Sequence, residues 1–249
     1  MRTPLMAGNW KMYKTPAETT AFFERFLPLV ANAAGREIVI NAPFVDLPAA
    51  VAATVNTNVG IGGQNLYWEK EGAYTGEISG PMLKATGCGY VVIGHSERRQ
   101  FFGETDATVL KRTVAAIDAG LTPIVCVGES LEERESGRTN EVLKAQFVGG
   151  IAGLNPDQFA RIVIAYEPVW AIGTGKTATP EIAGDAHKTI RSLVAHEFGA
   201  EAAAAVRILY GGSVKPNNVK ELMAVEDIDG GLVGGASLEA ESFAAIVNF

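Results

Sequence analysis

The sequence predicts an α/β protein that forms a single (β/α)8 barrel, with residues 1–249 as one domain. Three observations favour this fold: eight short strand-like runs, most of them rich in Val and Ile, helical patterns between them, and a length that suits one barrel. The runs carry few charges, as expected of parallel strands buried on both faces. An open doubly wound sheet is the alternative, and the count of eight favours the closed barrel.

The strands and helices are predicted from composition, period and end signals. We expect strands at Leu5–Gly8, Ile38–Asn41, Val59–Gly62, Tyr90–Ile93, Thr122–Val127, Arg161–Tyr166, Val206–Tyr210 and Gly230–Val233. We expect helices at Ala17–Ala33, Thr105–Ala119, Pro180–Phe198 and Ser237–Val247, among others. His187 and His196 fall in the third of these helices, and we expect both at the surface. No Gly- or Ser-rich linker divides the chain, which supports a single domain.

Composition and charge exclude several classes of protein. The formal net charge is −7 and the chain has no basic run, which argues against binding to nucleic acid or to a membrane surface. No apolar run approaches the roughly 20 residues of a membrane-spanning helix, and the N-terminus lacks the apolar core of a signal peptide. Cys88 and Cys126 lie far apart and form no metal-binding pattern. We therefore expect a cytoplasmic protein with reduced thiols and no metal site.

Polar side chains follow the predicted strands at the end where barrel enzymes place their active sites. Glu167 comes directly after an apolar strand, where burial would raise the pKa of its carboxyl and suit it to act as a general base. His95 follows the fourth strand and could donate to a carbonyl oxygen as that oxygen becomes an oxyanion. The alternatives are a structural Glu in an ion pair and a hydrogen-bonded core histidine.

A cation and two glycine clusters predict that the substrate carries a phosphate. Lys11 follows the first strand and could neutralise an anion, and a Schiff-base role for it is a weaker alternative. Gly211-Gly212-Ser213 and Gly234-Gly235 follow the seventh and eighth strands. Backbone N–H groups of glycines can approach a phosphate closely, and barrels often bind phosphate at these two loops.

The segment after Glu167 is long for a loop between a strand and a helix, and we interpret it as a lid that excludes water. Its residues are Pro168, Val169, Trp170, Ala171, Ile172, Gly173, Thr174, Gly175, Lys176, Thr177 and Ala178. Gly175-Lys176-Thr177 is not a nucleotide-binding loop, because Trp170 stands where its first glycine would be.

Five motifs in order resemble those of the triosephosphate isomerase family, whose fold is the TIM barrel. They are Ala7-Gly8-Asn9-Trp10-Lys11-Met12, Ile93-Gly94-His95-Ser96-Glu97-Arg98-Arg99, the segment from Ala165 to Gly175, Tyr210-Gly211-Gly212-Ser213-Val214 and Gly234-Gly235-Ala236-Ser237-Leu238. The resemblance implies an aldose–ketose isomerase that interconverts dihydroxyacetone phosphate and glyceraldehyde 3-phosphate, with no metal or organic cofactor.

The resemblance also implies a role for each site residue. Glu167 would take the proton, neutral His95 would polarise the carbonyl, and Lys11 would stabilise negative charge. Asn9 would orient the substrate, and Glu97 would position Lys11 or assist proton transfer. The backbone would hold the phosphate at Gly173, Ser213, Gly234 and Gly235. Ile172 and Leu232 would cover the base with apolar surface.

A homodimer is the last implication of the resemblance. Thr75 would reach into the partner's site, and Gln64 and Asn65 would form part of the same interface. Two other functions stay open at this point: a Schiff-base enzyme such as an aldolase on a phosphate-binding barrel, and a barrel that serves only as a scaffold. The second would require loss of a catalytic side chain, whereas Asn9, Lys11, His95 and Glu167 are all present.

Overall fold

Eight parallel strands form a closed barrel in the computed structural model, which describes residues 2–173 and 177–249. Neighbouring strands pair in sequence order, and the first strand also pairs with the last, which closes the sheet. The strands are β1 (Leu5–Asn9), β2 (Glu37–Asn41), β3 (Val59–Gly63), β4 (Tyr90–Ile93), β5 (Thr122–Val127), β6 (Val163–Tyr166), β7 (Ile208–Tyr210) and β8 (Gly230–Val233). The predicted (β/α)8 barrel is confirmed.

Helices surround the strands on the outside of the barrel. They are α1 (Pro16–Val30), α2 (Leu47–Ala53), α3 (Gly80–Thr86), α4 (Ser96–Phe101), α5 (Asp106–Asp118), α6 (Leu131–Glu135), α7 (Thr139–Gly150), α8 (Pro156–Phe159), α9 (Pro180–Phe198), α10 (Ala200–Ala205), α11 (Val219–Met223) and α12 (Ala240–Val247). Short 3-10 turns cover Val169–Ala171 and Gly235–Ser237. Within the described ranges, no helix combines the length and apolar character needed to cross a membrane.

Each strand buries both of its faces, as the low charge of the predicted strands indicated. Successive residues of a strand point to opposite faces. In β1, Leu5 and Ala7 belong to the cluster that fills the barrel, whereas Met6 packs in the larger cluster under the helices. Cys126 also lies in the inner cluster. This double burial makes the barrel a rigid frame for the loops at its carboxyl end.

Two predicted strands begin later than expected because their first residues belong to the preceding turn. The N–H groups of Arg161 and Ile162 donate to the carbonyls of Gln158 and Phe159, so β6 begins only at Val163. The N–H of Val206 donates to Ala202 at the end of α10, so β7 begins at Ile208.

The first and last helices begin at other residues than predicted, and side-chain hydrogen bonds explain why. Thr15 caps α1 through a capping box with Glu18, so the helix begins at Pro16, just before the predicted Ala17. The last helix begins at Ala240 instead of Ser237. The Ser237 hydroxyl donates to the carbonyl of Gly234 at 2.7 Å and closes the 3-10 turn, so Ser237 does not cap the helix.

His187 is buried, and its predicted surface position is wrong, whereas His196 is exposed as expected. The His187 ring lies between Tyr166 and Tyr210, at centroid distances of 5.7 and 6.4 Å. Its Nδ1 is 3.1 Å from the carbonyl oxygen of Asp227, so Nδ1 carries the proton of a neutral ring. Burial is the main cause that lowers the pKa of His187, to about 4.

We expect His187 to make the protein less stable as the pH falls below 6.5. Below pH 6.5 the His187 ring is protonated in the unfolded chain, whereas in the folded chain it stays neutral until about pH 4. The free energy of unfolding therefore decreases by about 3 kcal/mol across that interval. Urea unfolding of the wild type and of His187→Asn, whose amide retains a donor for Asp227, measures this contribution. In the exposed control His196→Asn, the free energy of unfolding should depend on pH as it does in the wild type. The same pH dependence in His187→Asn would contradict the prediction.

Candidate active site

One cavity at the carboxyl ends of the strands brings together most of the predicted site residues. Its volume is about 350 Å³. Its lining includes Asn9, Lys11, His95, Glu167, Gly173, Ser213, Gly234 and Gly235. These residues come from loops at opposite ends of the sequence, and only the closed barrel makes them neighbours. Ile172 and Leu232 also line this cavity.

Glu167 is the first residue after β6, and its side chain is only 2% exposed. Its backbone N–H donates to the carbonyl of Val127 on β5 at 2.7 Å. One carboxylate oxygen, Oε1, lies 2.8 Å from Nε2 of His95. The other, Oε2, accepts the backbone N–H of Ser96 at 2.9 Å. The site therefore holds the carboxylate through two donors on the loop after β4.

The pKa of Glu167 is lowered in this arrangement. Burial raises it, as the sequence-based argument expected, but the hydrogen bond from His95, the Ser96 N–H and the nearby Lys11 cation lower it by more. The expectation of a raised pKa is therefore wrong while both donors are in place. Ser96 acts through its backbone N–H, and no side-chain signal in the sequence identifies such a donor.

The geometry around His95 favours its neutral form with the proton on Nε2. The backbone N–H of Glu97 donates to Nδ1 at 3.2 Å, so Nδ1 carries no proton and Nε2–H points at the carboxylate of Glu167. Burial lowers the pKa of His95, and the nearby Glu167 carboxylate raises it by more. The increase in the pKa of His95 therefore depends on the Glu167 carboxylate being close. The Glu97 N–H, in contrast, opposes protonation of Nδ1 whatever the position of Glu167.

Lys11 has a backbone conformation that non-glycine residues rarely adopt, with φ of 55°. Its N–H donates to Oδ1 of Asn9 at 3.1 Å, which stabilises the turn. Its ammonium lies 2.5 Å from Oε1 of Glu97. Glu97 thus contacts Lys11, as one of its two suggested roles requires. Backbone strain of this kind is typical of functional sites, where it directs a side chain into a cavity.

The two glycine clusters add bare backbone to the lining of the same cavity. Gly211, Gly212 and Ser213 come from the loop after β7, and Gly234 and Gly235 from the loop after β8. A side chain at Gly211 would have its Cβ 2.9 Å from Cγ of Glu167 and 3.0 Å from the carbonyl oxygen of Tyr166. Glycine at 211 therefore leaves room for the carboxylate as well as for a ligand.

The described part of the predicted lid is attached to Glu129, a residue that the sequence analysis missed. The Trp170 indole N–H donates to Oε1 of this buried carboxylate at 2.9 Å, and the Tyr166 hydroxyl donates to the same atom at 3.0 Å. The N–H of Val169 donates to the backbone carbonyl of Glu129 at 3.1 Å. Glu129 follows β5 as the other site residues follow their strands, so its position was a usable signal. The predicted lid residues 174–176 lie outside the described part of the chain.

The predicted interface residues lie on and beside a second cavity of about 260 Å³. Gln64 and Asn65 line it together with Lys11, His95 and Glu97. Gln64 donates to the carbonyl of Asn41 at 2.9 Å, which fixes the loop after β3. Thr75 is exposed and does not line this cavity.

Known proteins resemble this chain over its full length. The sequence profile of the family described as triosephosphate isomerase matches residues 4–249. The chain is 68% identical to a triosephosphate isomerase of Solibacter usitatus, with all of both chains covered. It is 56% identical to one of Geotalea uraniireducens, over all of this chain and 99% of that one.

Solved structures give the same answer. The crystal structure of triosephosphate isomerase from Bartonella henselae matches with a TM-score of 0.89 at 39% sequence identity, over 99% of this chain and 98% of that one. The match supports an isomerase over a Schiff-base enzyme or a scaffold. The chain therefore belongs to the triosephosphate isomerase family.

Proposed function

We propose that this isomerase interconverts dihydroxyacetone phosphate and D-glyceraldehyde 3-phosphate with Glu167 as its base, a step of glycolysis and gluconeogenesis. The observation that carries the proposal is the buried Glu167 carboxylate, 2.8 Å from the Nε2 of His95 and on the wall of a cavity that also holds Lys11. A base, a neutral donor and a cation around one small cavity suit proton transfer next to a carbonyl.

Glu167 takes a proton from the carbon beside the carbonyl in the proposed mechanism. The electrons of that C–H bond form the C=C bond of an enediolate, and the carbonyl oxygen gains negative charge. His95 donates its Nε2 proton to this oxygen and takes the hydroxyl proton of the neighbouring carbon, while the Lys11 ammonium stabilises the negative charge. Glu167 then returns its proton to the carbon that carried the carbonyl, the C=C bond is lost, and the neighbouring carbon–oxygen bond becomes the new carbonyl. To reach the carbon, Glu167 leaves the donors of Ser96 and His95 while its burial remains, so its pKa rises as the reaction needs.

The backbone N–H groups of Gly173, Ser213, Gly234 and Gly235 hold the phosphate in this proposal, and Asn9 orients the substrate. Ile172 and Leu232 cover the carboxylate in this proposal and keep water from the enediolate, as expected of the lid predicted from the sequence. The adjacent carbonyl itself acidifies the transferred proton. The proposed reaction therefore requires neither a metal nor an organic cofactor.

An assay with purified protein tests this function. We expect turnover of D-glyceraldehyde 3-phosphate when the dihydroxyacetone phosphate formed is reduced by NADH and glycerol-3-phosphate dehydrogenase. We also expect competitive inhibition by 2-phosphoglycolate, because its carboxylate and phosphate resemble the enediolate. Absence of turnover would reject the proposal, and trapping of a substrate imine by borohydride would favour the aldolase type instead.

We also propose that residues 1–249 form one catalytic domain that works as a homodimer. Large apolar side chains around the second cavity support this, because a monomer rarely exposes so many together. Met12 and Phe102 line the cavity and are 93% and 67% exposed, and Tyr13 and Phe101 beside them in sequence are also exposed. The proposed occupant of the cavity is Thr75 of the partner subunit, which would complete the surroundings of Lys11 and His95.

Thr75→Arg is expected to separate the dimer and lower kcat at least tenfold. The cavity that would receive this side chain has a volume of only about 260 Å³, and its cations Lys11 and Arg98 are already paired with Glu97 and Glu104. A larger side chain with an unpaired charge would therefore fit poorly. Mass in solution by light scattering and the isomerase assay measure the two effects. The control Thr20→Arg places the same charge on the exposed face of α1 and should change neither property. A dimeric Thr75→Arg variant with full activity would contradict the proposed interface.

We place the protein in the cytoplasm. Both cysteines are free and buried, which fits a reducing compartment. Fractionation of the cells that produce the protein tests this location, and recovery with the membrane or the secreted fraction would contradict it.

A further inference from the structure

The backbone of Glu167 runs between two glycines that leave it no spare room. A Cβ atom on Gly128, just after β5, would lie 1.7 Å from the carbonyl oxygen of Glu167. On the other side, a Cβ on Gly211 would lie 2.9 Å from Cγ of Glu167. At such distances any shift of the Gly128 peptide changes the position of the residue that carries the base.

Gln146 holds the Gly128 residue at two points. The N–H of Gly128 donates to Oε1 of Gln146 at 2.7 Å, and Nε2 of Gln146 donates to the carbonyl oxygen of Gly128 at 3.0 Å. Both backbone groups of one residue are thus paired, as a neighbouring strand would pair them, at the point where β5 has ended. Two bonds to one residue restrict its rotation as well as its position.

The held peptide is directly connected to the base. Val127, which precedes Gly128, accepts the N–H of Glu167 at 2.7 Å. Gln146, Gly128 and Glu167 also line a further cavity of about 360 Å³, and Glu167 lines the substrate cavity as well. Because this empty space lies beside Gly128, the peptide has room to shift, and the two bonds from Gln146 oppose that shift.

We propose that Gln146 is a positioning residue of the isomerase reaction: by fixing the Gly128 peptide it sets the backbone from which the Glu167 carboxylate reaches the substrate. Gln146 does not line the substrate cavity, so it acts only through Gly128. The inference rests on the proposed role of Glu167 as base. It assigns to a glutamine on the outer helix α7 a part in the chemical step and none in substrate binding.

The decisive variant is Gln146→Met, which keeps the length of the side chain and removes both hydrogen bonds. We expect kcat to fall about tenfold and KM to stay within twofold, because a shift of a fraction of 1 Å impairs proton transfer without touching the phosphate site. The deuterium isotope effect on kcat, measured with substrate deuterated at the transferred position, should increase. Gln146→Glu retains the acceptor for the Gly128 N–H and should recover part of the lost kcat.

The control is Gln100→Met, an exposed residue that lines the same cavity without bonding Gly128, and it should match the wild type. Wild-type kcat in Gln146→Met would overturn the inference. So would a fall in kcat with an unchanged isotope effect and a lower melting temperature, which would show a purely structural role. An inactive wild type would instead reject the proposed function itself, so the two failures are distinguishable.

Discussion

Glu167→Gln is expected to lower kcat by about 10³-fold while KM changes by no more than a few-fold. General acid–base groups contribute roughly 10²–10⁴-fold to rates. The amide keeps the size of the side chain and can still accept the Ser96 N–H, but it cannot take a proton from carbon. The loss should therefore appear in the chemical step and leave substrate binding nearly intact.

Glu167→Asp tests the position of the base separately from its chemistry. The carboxylate keeps its charge but moves by about 1 Å, which is enough to lower kcat by about 10²-fold. Turnover in both directions, together with exchange of the substrate proton with deuterated water by NMR, measures the effect on proton abstraction.

The control for Glu167→Gln is Glu132→Gln, which removes an exposed carboxylate on α6 and changes the net charge equally. Its kcat should stay within twofold of the wild-type value. Wild-type turnover in Glu167→Asp would reject Glu167 as the base. A similar loss in Glu132→Gln would attribute the effect to net charge instead.

The barrel and the side chains of its site were predictable from the sequence because strand burial and strand ends leave strong signals. Eight runs of Val and Ile indicated the strands, and the residues that follow them had to meet at one rim once the sheet closed. Asn9, Lys11, His95 and Glu167 were found in this way, and all line one cavity.

Backbone donors, and side chains that contact the site from a distant helix, were not predictable by the same argument. The Ser96 N–H that binds Glu167 is the same group in every residue except proline, so nothing in the sequence singles it out. Gln146 lies on an outer helix between exposed Ala145 and buried Phe147, and only the path of that helix brings its amide to Gly128.

His187 shows a different limit of the sequence argument. Its place in a predicted helix outside the barrel suggested the surface. The face of α9 that packs on the barrel includes His187, and Tyr166 and Tyr210 on β6 and β7 enclose its ring. A neutral histidine can be buried when a backbone carbonyl accepts a hydrogen bond from its ring N–H, as the carbonyl of Asp227 does here.

Lys11→Met is expected to lower kcat/KM by about 10³-fold through both constants. The protein has a net charge of −7, and its cavity wall already carries the Glu167 carboxylate. Removal of the ammonium takes away the cation that stabilises the enediolate oxygen, and it leaves Glu97 without its ion-pair partner. Without the Lys11 ammonium, the Glu97 and Glu167 carboxylates repel the substrate phosphate, and no cation at position 11 attracts it.

Salt dependence separates this local effect from a change in overall charge. Lys215 lines the same cavity but is exposed, so Lys215→Met should raise KM less than fivefold, and salt should reduce that effect. The loss in Lys11→Met should persist between about 10 and 200 mM salt, because the ammonium is partly buried against Glu97. A loss below tenfold, or one that salt abolishes, would contradict a catalytic role for Lys11.

The double variant Lys11→Met/Glu97→Gln then distinguishes the two roles suggested for Glu97. If Glu97 only positions Lys11, its carboxylate is harmful once the ammonium is gone, and the second substitution should recover part of kcat/KM. If Glu97 takes part in proton transfer through the neighbouring His95, the double variant should be slower than Lys11→Met. The ion pair of 2.5 Å between Lys11 and Glu97, compared with 3.6 Å between Glu97 and Nδ1 of His95, leads us to expect recovery.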